Sequence, residues 1–118
     1  MKRFIKSFSH ALVGLRHTLL HEQNFRVELF CAFVTIGCAF IFNITKLEWF
    51  VVIINIASVL TAELFNTSIE NLCNMIHKTT HPIIKIVKDV SAAAVVITAL
   101  SALACGCIIF IPYFLKLL

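Results

Sequence analysis

The chain alternates long apolar runs with short polar stretches, in a pattern typical of membrane-spanning helices. The apolar runs lie at residues 29–44, 47–60 and 90–115, and the last of them contains no charged residue. A helix needs roughly 20 apolar residues to cross the ~30 Å hydrocarbon core of a bilayer. Because polar residues can form the ends of each helix, the pattern predicts three spans, at about 24–44, 47–70 and 89–113.

The segment before the first span is amphipathic. Its apolar residues recur at spacings of three and four, which places them on one face of a helix. A basic amphipathic helix with an aromatic-rich face suits the membrane surface, so we expect a surface helix over residues 2–21. An ordinary packing helix would show the same pattern, and the two interpretations are compatible. The residues of the apolar face are Phe4, Phe8, Leu12, Leu15 and Leu19.

The composition indicates an integral membrane protein. Of 118 residues, 60% are hydrophobic and 14% are charged, whereas a soluble domain averages about 45–50% apolar and about 25% charged. No signal-peptide pattern is present, because no small-residue cleavage site follows the N-terminal basic residues. We therefore predict an all-α fold, with one membrane-embedded domain over residues 1–118 that contains three transmembrane helices and the surface helix.

The five cysteines form no Cys-x-x-Cys pair, and their spacing predicts neither a zinc site nor a disulfide framework. We interpret them as small apolar residues in packed or lipid-facing helices.

Basic residues lie mostly on one side of the predicted spans. Eight of the ten Lys and Arg residues precede the first span or lie between the second and third. The positive-inside rule then predicts a cytoplasmic N-terminus and a cytoplasmic second connection. The +4 net charge is explained by this topology rather than by nucleic-acid binding. All acidic residues except Glu48 map to the same side, where we expect the chemistry.

Polar residues at the end of the second span are the main candidates for a site. Glu63, Asn66 and Glu70 are spaced three and four residues apart, so they fall on one face of a helix. An ionised group deep in a bilayer costs at least ~2.5–3.5 kcal/mol, which marks such residues as functional. Glu22 and Glu70 could share Mg²⁺, Glu63 could take a proton from a hydroxyl, and Lys88 could neutralise phosphate charge.

These groups together fit phosphoryl transfer, in which positioning and charge stabilisation supply most of the catalysis. No Walker-type or kinase-type Gly-rich loop is present. On the chemistry alone, a small proton- or metal-coupled transporter, or a structural membrane protein that holds an ion without binding nucleotide, fits nearly as well.

Four segments resemble the prokaryotic diacylglycerol kinase and undecaprenol kinase family. Residues 63–70, Glu-Leu-Phe-Asn-Thr-Ser-Ile-Glu, resemble the family's Glu-x-x-Asn-[Ser/Thr]-[Ala/Ser]-Ile-Glu signature. Shorter matches follow the family's order at residues 14–16, 22–28 and 88–95. The resemblance covers essentially the whole chain. It implies ATP- and Mg²⁺-dependent phosphorylation of a lipid alcohol by a homotrimer with shared active sites, in the bacterial inner membrane.

The resemblance also implies a role for each matching residue. Glu63 resembles the catalytic base that faces the lipid hydroxyl, and Asn66 resembles the amide that organises the site. Glu22 and Glu70 resemble metal ligands that also border the nucleotide.

Lys88 and Asp89 resemble the nucleotide-binding pair, with Lys88 on the phosphates. The other implied positions are Arg3, His10 and His81, which line the nucleotide or the lipid headgroup, and Glu28, which supports the site.

The chain departs from the family pattern in two places. Asn74 stands where the family usually has Asp, and residues 91–94 lack the Gly that usually follows Lys-Asp.

Glu22 and Glu28 could instead face solvent or pair with Arg16 and Arg26, and Lys88 with Asp89 could be a surface pair that caps the third span.

The identity of the lipid is the least constrained of these expectations. Residues 108–113, Ile-Ile-Phe-Ile-Pro-Tyr, resemble the ending common in the undecaprenol kinase branch. Residues 22–28 fit the diacylglycerol kinase branch at least as well. The resemblance therefore favours undecaprenol slightly and keeps diacylglycerol as the alternative.

Overall fold

The computed structural model describes all 118 residues and consists of four α-helices. The last three helices are long and apolar enough to cross a membrane. This confirms the predicted all-α fold, with three spans after an N-terminal helix. The helices are α1 (Lys2–His21), α2 (Gln23–Ile41), α3 (Lys46–Ile76) and α4 (Pro82–Leu115).

The three candidate spans form an open bundle. Helices α3 and α4 make the most extensive contacts, α2 packs against α3, and α1 lies against α2. Only 12 of the 118 residues are buried, and large apolar side chains such as Phe30 and Ile97 are exposed. Exposed apolar surface on this scale calls for lipid or another subunit as its neighbour.

Helix α1 buries only Thr18 within the chain. Its predicted apolar face is uncovered, with Phe4 77% and Phe8 61% exposed. Within one chain, α1 is therefore not an ordinary packing helix, and its apolar face is free to contact a membrane or a second subunit.

The turn between α2 and α3 is built by two polar residues. Asn43 adopts a left-handed conformation (φ 49°), which asparagine tolerates better than most residues do. Thr45 then caps α3: its hydroxyl accepts the Glu48 N–H at 3.3 Å, and the Glu48 carboxylate accepts the Thr45 N–H at 2.8 Å. The Tyr113 hydroxyl also donates to Glu48, at 2.8 Å, and ties the end of α4 to the start of α3.

The helix ends differ from the predicted span limits. Helix α2 ends at Ile41 rather than at residue 44, because the turn occupies the intervening residues. Helix α3 continues to Ile76 and α4 already begins at Pro82, so only residues 77–81 of the polar connection are non-helical. Hydropathy marks where a helix leaves the apolar layer, whereas its backbone hydrogen bonds continue into the polar region.

Candidate active site

Glu22 is the single residue between α1 and α2, and its extended backbone (φ −104°, ψ 115°) separates the two helices. The free carbonyls at the end of α1 are satisfied by Arg26, whose Nη1 donates to the oxygens of Leu19 at 3.1 Å and Leu20 at 3.0 Å. A helix end needs such partners. Arg26 therefore caps α1 and forms no ion pair with Glu22.

The acidic residues predicted from the sequence come together at one end of the bundle. Glu63 is only 2% exposed, and the carboxylates of Glu70 and Glu22 are near enough to repel its negative charge. Glu28 in turn interacts with Glu63. The structure thus gathers carboxylates from α2, from α3 and from the link between α1 and α2. We call Glu22, Glu28, Glu63 and Glu70 the acidic cluster.

The acidic cluster contains no ion pair. The one salt bridge in the structure joins Lys85 to Asp89, at 2.6 Å within α4. The alternative that Glu22 and Glu28 pair with arginines is therefore wrong, and both residues are half-buried rather than fully exposed.

Buried oxygen atoms in this region lack hydrogen-bond partners. They are one carboxylate oxygen each of Glu28 and Glu63, and the Thr67 hydroxyl. Nearly all buried polar atoms in proteins are hydrogen-bonded, so each exception needs an explanation. A ligand that donates protons or carries positive charge would satisfy these oxygens. The region therefore has the properties of a binding site.

Lys88 lies on α4 and contacts α3. Its Nζ donates to the Asn74 Oδ1 at 2.6 Å, and Asn74 lies one helical turn after Glu70. The contact holds the ammonium group at the same end of α3 as the acidic cluster. Asp89 bonds to Lys85 instead, so Lys88 and Asp89 have different partners and do not form a pair.

Asn66 is buried and contacts a serine on α4. The Ser91 hydroxyl donates to the Asn66 Oδ1 at 2.6 Å, and both residues are buried. The sequence indicated Ser91 only as a departure from the family's glycine. One signal was available: Ser91 lies three residues after Lys88, on the same face of a helix.

Three of the predicted nucleotide-lining residues are not joined to the acidic cluster within one chain. Arg3 and His10 lie on α1, and Arg3 precedes Glu22 by roughly 28 Å along a helix at ~1.5 Å per residue. His81 caps α4, because its Nδ1 accepts the Ile83 N–H at 3.2 Å. Only His81 lies near the start of the helix that carries Lys88.

The donor set of the acidic cluster fits a magnesium ion better than zinc. No group of three or more His, Cys, Asp and Glu side chains is placed to hold a metal. A structural zinc site needs four protein ligands. Mg²⁺ instead keeps several waters and takes one or two carboxylates together with substrate phosphates. Glu22 and Glu70 would supply two carboxylates of this kind.

An apolar cavity of about 550 Å³ lies between α2, α3 and α4. Glu28 lines it together with apolar side chains from the first part of α3 and the second half of α4, such as Val52, Leu103 and Phe114. Because Glu28 also interacts with Glu63, the cavity connects the acidic cluster with the apolar interior of the bundle.

The fold and this site define a class of protein: a small three-span membrane protein whose polar site adjoins an apolar cavity. The family model for prokaryotic diacylglycerol kinase matches residues 9–110. The undecaprenol kinase of Bacillus subtilis (strain 168) is 34% identical over 112 residues, which cover 95% of this chain and 91% of that protein. The diacylglycerol kinase of Escherichia coli (strain K12) is 26% identical over 112 residues, 95% of this chain and 92% of that protein.

The chain belongs to the prokaryotic diacylglycerol kinase family. It is therefore an enzyme of the lipid kinase class, as the resemblance implies. The alternatives of a transporter and of a purely structural membrane protein are set aside by this finding.

Proposed function

We propose that this protein transfers the γ-phosphoryl group of ATP to the hydroxyl of a membrane lipid alcohol, with Mg²⁺ as cofactor. The observation that carries the proposal is the buried Glu63 carboxylate, which has an oxygen without a hydrogen-bond partner. A carboxylate kept free in this way is suited to accept a proton from a hydroxyl.

The apolar cavity supports a lipid as the acceptor. A hydrocarbon chain in the cavity would lie among apolar side chains of the spans, and its polar end would reach Glu28 and Glu63. Because the chain is already in an apolar environment in the membrane, the cavity would position it by van der Waals packing rather than by the hydrophobic effect.

Each polar residue has a proposed task in this reaction. Glu63 accepts the proton of the lipid hydroxyl, and Asn66 organises the reacting groups beside it. Glu22 and Glu70 hold Mg²⁺, which neutralises phosphate charge when bound. Lys88, fixed by Asn74, binds the phosphates.

We propose that undecaprenol is the preferred acceptor and diacylglycerol the alternative. The 34% identity with an undecaprenol kinase over 91% of its length supports this order, as does the sequence of residues 108–113. The diacylglycerol kinase of Haemophilus influenzae is 30% identical over 82% of each chain, so the margin is small.

The active enzyme is proposed to be a homotrimer, with the whole chain acting as one kinase domain in the bacterial inner membrane. The open bundle and its exposed apolar surface support assembly with further subunits. Arg3 and His10 precede Glu22 by roughly 28 and 18 Å along α1, so a neighbouring subunit is the route by which they would reach a site.

The test is a kinase assay on the purified protein in mixed micelles. Undecaprenol and diacylglycerol are supplied separately with labelled ATP, with and without Mg²⁺. We expect Mg²⁺-dependent label in both lipids and a higher kcat/KM for undecaprenol. If neither lipid is labelled, the proposed function fails, whereas a higher value for diacylglycerol would reverse only the lipid preference.

A further inference from the structure

Asn66 and Ser91 form a buried polar contact between α3 and α4. The Ser91 Oγ lies 2.6 Å from the Asn66 Oδ1 and 2.9 Å from the carbonyl oxygen of Lys88. A serine hydroxyl has one proton to donate. The distance to Asn66 is the shorter one and falls within the normal range for an O–H···O hydrogen bond.

In the structure, this contact leaves one atom of the Asn66 amide free. With Oδ1 accepting from Ser91, the Nδ2 group has no acceptor within the chain. The amide is thus presented as a donor. If the amide were flipped, Nδ2 would donate to the Ser91 Oγ, whose own proton would be donated to the Lys88 carbonyl oxygen, and the free Oδ1 would repel an anionic oxygen.

We propose that Ser91 is a positioning residue, which fixes the Asn66 amide so that its Nδ2 donates to an anionic oxygen of the transferring phosphoryl group. The inference rests on the proposed function and adds to it, because it assigns a task to a residue that the sequence marked only as a departure. A pre-oriented donor stabilises developing charge without reorganisation during the reaction.

The chain offers a matched control for this contact. Ser101 also lies on α4, and its hydroxyl donates to Asn55 on α3 at 3.2 Å. The pair joins the same two helices by the same chemistry, but Ser101 lies about 15 Å further along α4 at ~1.5 Å per residue. If Ser91 mattered only because it helps α3 and α4 to pack, removal of either serine hydroxyl should lower activity. If Ser91 orients the Asn66 amide, only removal of the Ser91 hydroxyl should do so.

The experiment compares kcat and KM for Ser91→Ala, Ser91→Thr, Ser101→Ala, Asn66→Ala and the double variant Ser91→Ala/Asn66→Ala. A typical hydrogen bond corresponds to about a three- to tenfold effect, so we expect Ser91→Ala to lower kcat by that factor and leave both KM values within twofold. Ser91→Thr, which keeps the hydroxyl, should recover most of kcat, and Ser101→Ala should resemble wild type.

The double variant tests whether Ser91 acts through Asn66. If it does, Ser91→Ala should have no further effect once Asn66 is alanine. Multiplicative effects of the two changes, or a wild-type kcat for Ser91→Ala while Asn66→Ala is impaired, would overturn the proposal. A wild-type kcat for Asn66→Ala would remove Asn66 from the reaction, and the task of Ser91 with it.

A second readout is independent of activity, so that failure of the proposed function can be distinguished. The protein is labelled with ¹⁵N-asparagine, and the Asn66 side-chain amide is assigned by its loss in Asn66→Ala. We expect its signal to shift or broaden in Ser91→Ala and to stay in place in Ser101→Ala. An unchanged signal in Ser91→Ala would show that the orienting contact does not exist.

Discussion

Glu63 is 2% exposed and forms no ion pair. A buried carboxylate of this kind destabilises a folded helix bundle unless another interaction compensates for it. Asn66 and Thr67, which are buried beside it on the same helix, are also polar. Local stability would be better served by apolar side chains at these positions. The proposed function of Glu63 and Asn66 offers an explanation for polar residues at these positions.

The first prediction concerns Glu63 as the proton acceptor. Glu63→Gln keeps the volume of the side chain but removes its basicity, so kcat should fall by about 10²–10⁴-fold, the contribution typical of a positioned general base. The affinity for ATP, measured by equilibrium binding, should change little. Glu48→Gln is the matched control, because Glu48 lies on the same helix at its opposite end. A Glu63→Gln enzyme within tenfold of wild type would exclude this role.

At the scale of helices, the break at Glu22 positions one of the two proposed magnesium ligands. Glu22→Gln and Glu70→Gln should each raise the Mg²⁺ concentration needed for half-maximal activity. The double variant should be little worse than the more impaired single one, because both carboxylates act on one ion. Fully additive effects in the same Mg²⁺ titration would argue against a shared metal.

The capping box of α3 allows a prediction about stability alone. Thr45→Ala removes the side-chain oxygen that accepts the Glu48 N–H and should lower the free energy of unfolding by about 0.5–2 kcal/mol. Thr35→Ala is the control, since that hydroxyl bonds only within its own helix. Thermal unfolding in detergent measures both. Because the cap lies far from the acidic cluster, kcat should be retained, and a large loss of kcat at unchanged stability would contradict this separation.

The elements were more predictable from the sequence than the contacts between them. Spacing along a helix places Glu63 and Glu70 on one face, and apolar runs identify the spans. The bond from Ser91 to Asn66 depends instead on how α4 is rotated against α3, which no local pattern encodes. The same holds for the hydrogen bond between Tyr113 and Glu48, since Tyr113 lies near the end of α4 and Glu48 near the start of α3.

At the scale of the whole molecule, the amphipathic α1 and the three spans imply a bundle whose surroundings complete it. Exposed apolar side chains are found on every helix, and a single chain leaves the apolar cavity open between α2, α3 and α4. In a bilayer this surface is satisfied by lipid or by neighbouring subunits. The proposed site therefore depends on how the bundle is inserted, because its polar end must face the compartment that contains ATP.

The last prediction concerns that orientation. The eight-to-two distribution of basic residues across the spans predicts that residues 77–81 face the cytoplasm and that the end of α4 lies outside. Helix α4 is long enough to cross, because its 34 residues extend roughly 50 Å at ~1.5 Å per residue. The test uses two variants, Lys78→Cys and Lys116→Cys, each made in a protein from which the five native cysteines have been removed. Intact cells that contain each variant are treated with a membrane-impermeant thiol reagent. Position 116 should be labelled in intact cells, and position 78 only after permeabilisation. Labelling of position 78 from outside would place Lys88 and the acidic cluster away from cytosolic ATP, and the proposed kinase reaction could not proceed in that orientation.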